Sequence, residues 1–277
     1  MEKITLLHVL LFLLTLFSTI VVGAIQTGVD ILKEPERIFN GLPFALTLIT
    51  ILMAHELSHY FTSRKHGVKA TLPYFIPAPT IIGTFGAFIK MKSPIISRKS
   101  LIDIGASGPI SGFIVSVIAT IIGLNMSEVV PSGKIKNGLN LGDSILFSIL
   151  SRLIIGVLPA DADVVLNPVA FAGWIGLFVT SMNLIPVGQL DGGHIAYAFI
   201  GEKHSELSFI LVIMMFIFGL FLWEGWTIWA ILLYVLGLRH PPVIYWEISL
   251  DYKRRFIGII SMIIFILTFI PVPFKII

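Results

Sequence analysis

Apolar stretches of about 20 residues, the length that crosses the hydrocarbon of a bilayer, recur along this chain. The first runs from about residue 4 to 25 and the second from about 42 to 62. A third covers about 104–124. A fourth begins near Asn167 and Pro168 and continues to about 200, interrupted at Asn183-Leu-Ile-Pro-Val-Gly-Gln189. An apolar hairpin follows over 207–222 and 226–238, and a last stretch covers about 256–270 before Pro271. Only a lipid environment suits so many helices that are apolar all round. The expectation is an all-α polytopic membrane protein of six or seven transmembrane helices. The first stretch follows Lys3, is too long for a signal-peptide core, and reads as a retained span.

Composition excludes the soluble alternatives. Of 277 residues, 56% are hydrophobic and 13% charged, with a mean hydropathy of +0.95. A soluble domain carries about 25% charged residues. The net charge of +3 would suggest nucleic acid in a soluble protein; beside a bilayer, Lys and Arg are topology signals, so no nucleic-acid partner is expected. There are no cysteines, which removes disulfides, thiol catalysis and Cys-ligated metals.

The basic residues also orient the chain. Between residues 60 and 101 lie seven Lys or Arg and no Asp or Glu. Placing that segment in the cytoplasm puts 13 basic residues inside and 6 outside, with Lys134 among the latter and the N-terminus cytoplasmic. The expected location is the cell membrane. Two connecting stretches have character of their own. Residues 71–94 are apolar but punctuated by Pro and Gly, with β-favouring Ile, Thr and Phe, and suit short strands or a re-entrant loop. Residues 143–158 space their polar groups one helical turn apart, as in a helix lying on the membrane surface or, equally, a packed surface helix.

Three ionisable groups sit inside the second stretch, in His55-Glu56-Leu-Ser-His59. On a helix, residues four apart share a face, so His55 and His59 can hold one metal through two imidazoles. Glu56, adjacent but not compelled to ligate, can take a proton from metal-bound water, the arrangement of zinc proteases. Groups so costly within a bilayer mark a functional site. Catalytic zinc takes three protein ligands and leaves a position for water. Without cysteine the third must be His, Asp or Glu, and Leu190-Asp191-Gly-Gly-His194 after the interruption offers both Asp191 and His194. Irregular backbone at membrane depth is tolerated where it lines a protein-enclosed cavity.

Taken together, His55-Glu-Leu-Ser-His59 and Asn183-Leu-Ile-Pro186 with Leu190-Asp191-Gly192 resemble the site-2 protease family of intramembrane zinc metalloproteases, in its archaeal or chloroplast-like form without PDZ or CBS domains. The resemblance extends through Gly83-Thr-Phe-Gly86 and Gly105-Ala-Ser-Gly-Pro109 with Gly112 to Arg239-His-Pro-Pro242, most of the chain. It implies one protease domain over 1–277, with a catalytic core of about 42–200 and accessory spans at about 1–25 and 207–270. It also implies that the second, third and fourth spans hold one Zn2+ per chain. By the same resemblance His55, His59 and Asp191 are the ligands, Glu56 is the acid/base, and the substrate is a transmembrane protein cut within the bilayer. Where many members read Asn-Pro-Asp-Gly, this chain reads Gln189-Leu-Asp191-Gly192. Asn183 is a candidate oxyanion donor, and His194 is the alternative ligand or a hydrogen-bonding partner. Gly83 and Gly86 lie in a segment, 80–92, that could pair with an unwound substrate as an added strand.

Two other readings compete. Gly105-Ala-Ser107-Gly108 matches the Gly-x-Ser-Gly of rhomboid serine proteases, but leaves the paired histidines unexplained; the glycines read more simply as a close helix contact. Broken helices with midplane charges are also features of transporters. A paired-histidine motif with a remote aspartate is not expected of one. Oligomeric state is not encoded in any of these signals.

Overall fold

A computed structural model of the chain describes residues 3–132 and 139–276; Lys134 lies outside them. Nine helices and six short strands follow one another among the described residues: α1 (Leu6–Gln26), α2 (Leu42–Lys65), β1 (Tyr74–Pro77), β2 (Thr84–Phe88), α3 (Arg98–Asn125), β3 (Glu128–Pro131), β4 (Leu139–Leu141), α4 (Ile145–Ile154), β5 (Ala162–Val165), α5 (Pro168–Asn183), α6 (Asp191–Ile200), α7 (His204–Phe221), α8 (Gly225–Leu236), α9 (Tyr252–Thr268) and β6 (Phe274–Ile276). The protein is mostly helical, with three two-stranded sheets. Four helical stretches are long and apolar enough to span a membrane: 6–26, 35–65, 98–125 and 191–221. Their outward faces support that reading. Leu6, Leu10, Leu13 and Phe17 of α1 and Phe209, Ile213 and Phe216 of α7 are all exposed, a density of apolar surface that water does not tolerate. Such surface associates with a membrane.

The chain divides into two compact units, and α3, α4 and α5 each contribute to both. The first contains Met1–Ser93, Ser111–Lys134 and Ile149–Leu177. Here α1 lies against the β1–β2 hairpin, with His8 stacked on Tyr74 at 4.1 Å and Phe12 edge-on to Phe75. The Ser18 hydroxyl donates to the Gly83 carbonyl at 2.6 Å, tying the turn to the helix. Small residues let the helices of this unit approach closely. A Cβ on Gly123 of α3 would overlap the backbone of Ala170 in α5, and one on Gly176 of α5 would overlap the Ser116 hydroxyl. Beneath these contacts Trp174 is fully buried, and Phe44 of α2 stacks on Phe171. At the end of α3, β3 pairs antiparallel with β5, and the Asn167 N–H donates to the Ser127 hydroxyl at 3.0 Å.

The second unit contains Pro94–Ile110, Ile135–Ser148 and Phe178–Ile277. In it α7 and α8 form the apolar hairpin, and the Trp226 indole donates to the Pro271 carbonyl at 2.7 Å. The start of α9 is bound to the start of α3 by charge: Arg254 reaches Asp103 at 2.6 Å and Asp251 at 2.6 Å. Asp251 caps α9 by accepting from the Arg254 N–H, and that hydrogen bond, with the Arg254 side chain, holds its carboxyl below the usual range.

Most expected boundaries agree within a few residues, including the break between α5 and α6. The differences have physical causes. α3 begins six residues before the expected 104, because Arg98, Lys99 and Asp103 are held by partners in the second unit. The hairpin begins at Tyr74, inside the 71–94 stretch expected to suit short strands; its packing on α1 through β1 is a contact no local pattern announces. The β3–β5 and β4–β6 pairs join strands far apart in sequence and had no local signal. On α4 the exposed Ile145, Ile149 and Leu153 form the apolar row of a surface helix. Replacing Gly123 with Leu should lower stability by about 1–3 kcal/mol through overpacking, read as a lower melting temperature in detergent. The exposed neighbour substitution Ile122→Leu should leave melting unchanged.

Candidate metal centre

In the first unit, α2 carries its ionisable residues in the half that ends with the basic residues Arg64 and Lys65. His55 and His59 stand on successive turns, 5% and 6% exposed, with their Nε2 atoms 3.0 Å apart. Two nitrogens bound tetrahedrally to one zinc at about 2.0–2.1 Å would lie about 3.3 Å apart. The pair already converges as one ion requires, so the residues present fit the metal. Glu56 is equally buried, with Oε1 4.0 Å from His55 Nε2. Its carboxylate is therefore beside the imidazole pair.

Part of the surroundings of this stretch of α2 comes from α3 residues in the same unit. Gly112 faces His55, and a Cβ there would sit 3.1 Å from His55 Nδ1. The glycine leaves room for the ring, a role beyond the packing that its spacing suggests. One turn from His55, Ser58 and Ser111 share a hydrogen bond of 2.6 Å. No sequence motif marks Ser58 or Ser111 as site residues. Their signal is that a hydroxyl pair between two apolar helices satisfies itself.

Gly83 and Gly86 lie on the hairpin of this unit, at φ +81° and +97°, conformations that L side chains rarely adopt. A Cβ on Gly83 would press the Ser18 carbonyl at 2.9 Å, whereas none of the described atoms lies within 4 Å of one on Gly86. Gly83 is thus a packing and turn residue, and Gly86 is on open ground.

In the second unit, Asn183 ends α5 and Asp191 begins α6, both half-buried. The intervening turn is folded tightly on itself. Gly188 has φ +55°, a Cβ on Gly192 would overlap the Leu184 carbonyl, and one on Gly193 would come within 2.5 Å of the Gly188 carbonyl. These glycines allow a helix to stop and restart within seven residues, leaving a carboxylate in the first turn of α6. His194, one turn on, abuts Gly105 of α3, where a Cβ would be 3.0 Å from His194 Cβ and 3.1 Å from the Asp191 carbonyl. Its Nδ1 lies 2.6 Å from His240 Nε2. In the sequence His240 stands only within Arg239-His-Pro-Pro242, with nothing local to mark it as a site residue.

Much of the chain is similar to known proteins. The model of Peptidase family M50 matches residues 43–223. A probable zinc metalloprotease of Arabidopsis thaliana, EGY2, chloroplastic, is 30% identical over 242 residues, covering 86% of this chain and 43% of its own. The Arabidopsis EGY1 protein is 35% identical over 168 residues, covering 59% of this chain and 30% of its own. EGY3 of Oryza sativa subsp. japonica is 28% identical over 285 residues, covering 93% and 46%. The chain thus spans less than half the length of these relatives. With the family model matching well over half of its residues, on both sides of the helix break, the chain belongs to Peptidase family M50, the site-2 proteases.

Proposed function

We propose that this protein is an intramembrane zinc metalloendopeptidase that cuts transmembrane segments of other membrane proteins, as in regulated intramembrane proteolysis. The observation that carries the reading is the buried imidazole pair of α2, converging beside a buried carboxylate inside an apolar helix. Family membership favours it over a transporter. His55, His59 and Asp191 would hold the zinc, and their donor set of two imidazoles and one carboxylate suits it. Zinc bound there would lower the pKa of its water to about 7 and polarise the scissile carbonyl. Glu56 takes the proton from the attacking water and returns it to the leaving amine. Asn183, at the end of α5, is the proposed donor to the developing oxyanion.

The wider architecture follows. Six or seven crossings result if α5, α8 and α9, all shorter than the four long stretches, also enter the bilayer as parts of one domain over 1–277. A helical substrate hides its amides in i→i−4 hydrogen bonds and must unwind before attack. The hairpin is the proposed receiver, dipping into the membrane as a re-entrant segment. β2 packs against α2, and its other edge carries no strand among the described residues. That edge could replace the substrate's lost hydrogen bonds, with Gly86 keeping the approach open. The proposed setting is the cell membrane with a cytoplasmic N-terminus; the relatives' names place those proteins in chloroplasts.

Three experiments test these readings. Ala at His55, His59 or Asp191 should lower bound zinc and abolish cleavage of a model transmembrane substrate, whereas Glu56→Gln should abolish cleavage with zinc retained. Full activity of Glu56→Gln would overturn the mechanism, and full zinc in Asp191→Ala would reassign the third ligand, with His194 next. Cysteines placed at Lys65 or Lys99 should react with an impermeant reagent only from the cytoplasmic side, and one at Lys134 only from outside; the reverse pattern inverts the topology. Proline at Phe85 or Ala87, flanking Gly86, should slow cleavage at least about tenfold with zinc unchanged if an edge donor is lost. Parental rates would reduce the hairpin to a membrane anchor.

A further inference from the structure

Within the second unit, the segment after α8 folds over α6 and is held there by several independent contacts. The Tyr245 N–H donates to the Ile96 carbonyl at 2.8 Å. The Arg98 guanidinium lies 4.4 Å from the Trp246 ring and donates through Nε to the Ala198 carbonyl at 2.8 Å. Trp246 packs edge-on to Tyr197 of α6, and Tyr197 stacks on His240 at 4.3 Å with the planes 17° apart. His240 is thereby fixed in place and orientation.

Its two nitrogens then define a chain of hydrogen bonds. His240 Nδ1 is 2.6 Å from the Pro241 carbonyl, and His240 Nε2 is 2.6 Å from His194 Nδ1. A carbonyl only accepts, so the proton of this bond sits on His240 Nδ1. A neutral imidazole has one donor and one acceptor nitrogen, so His240 Nε2 accepts. The proton of the second bond must therefore belong to His194 Nδ1, and His194 Nε2 carries the lone pair.

We infer that His240 is a positioning residue, which fixes His194 in the Nδ1–H tautomer so that its Nε2 serves the reaction as a hydrogen-bond acceptor on the face of α6 that carries Asp191. Residues three apart share a helix face, and Gly105 supports the backbone and Cβ of this turn. Orienting a functional imidazole through the hydrogen bond of its other nitrogen is a general device. The inference rests on the proposed protease activity, but the tautomer itself does not.

Two substitutions separate positioning from packing. His240→Gln keeps an acceptor near Nε2 and loses the stacked ring; His240→Phe keeps the stack on Tyr197 and loses the acceptor. In the zinc-loaded full chain, His240→Phe should lower kcat/KM at least about tenfold with zinc content and melting unchanged, and His240→Gln should stay within about threefold of the parent. A loss confined to KM assigns the accepted hydrogen to the substrate's backbone amide, and a loss confined to kcat assigns it to water. The opposite ranking, or a His240→Phe variant as active as the parent, overturns the role. Nitrogen NMR of histidine-labelled parent protein reads the tautomer without any variant: a proton on His194 Nδ1 supports the inference and one on Nε2 alone overturns it. If the parent cuts no membrane substrate, the proposed function fails, while the tautomer stands or falls by the spectrum.

Discussion

Ionisable groups inside an apolar helix are costly unless something compensates them, and the rest of this protein is organised around that cost. α2 could cross a bilayer without His55, Glu56 and His59. Their presence there, each less than 10% exposed, requires neighbours that satisfy them or an ion that binds them. The two imidazoles converge to 3.0 Å, and a divalent cation between them would meet that requirement. A site of this kind must be dry enough to strengthen its electrostatics and still admit water, which is why its polar residues concentrate in one half of the helix.

Close helix approach is what makes room for such a site. In the first unit Gly112 faces the His55 ring, while Gly123, Gly173 and Gly176 bring α3 and α5 together where any side chain would collide. Without a hydrophobic drive between helices in lipid, van der Waals contact of this sort supplies much of the association. In the second unit the same device holds His194 against Gly105 and folds the turn that restarts α6. Glycine here is the means of placing polar side chains within helices that expose mainly apolar surface to lipid.

Polar contacts between distant segments do the remaining work. Arg254 with Asp103, Arg98 with Trp246, and His194 with His240 each join residues at least 46 positions apart. They gather near the starts of α3, α6 and α9. Their effect is to fix the segment after α8, which by composition alone is an irregular, proline-bearing loop.

The sequence by itself determined that this is a helical membrane protein, that α2 bears a paired-histidine motif with its carboxylate, and that a helix breaks before Asp191. These are properties of local order: run length, a four-residue period, and Pro and Gly at a break are all legible along the chain. Tertiary structure decided what local order cannot express. It set where β1 packs, which strands β3 and β4 find as partners, that Gly112 stands beside an imidazole, and that His240 reaches His194. Each of those depends on two segments meeting in space, and an apolar stretch carries almost no information about which neighbour it will meet, because every other apolar stretch offers it the same solvent.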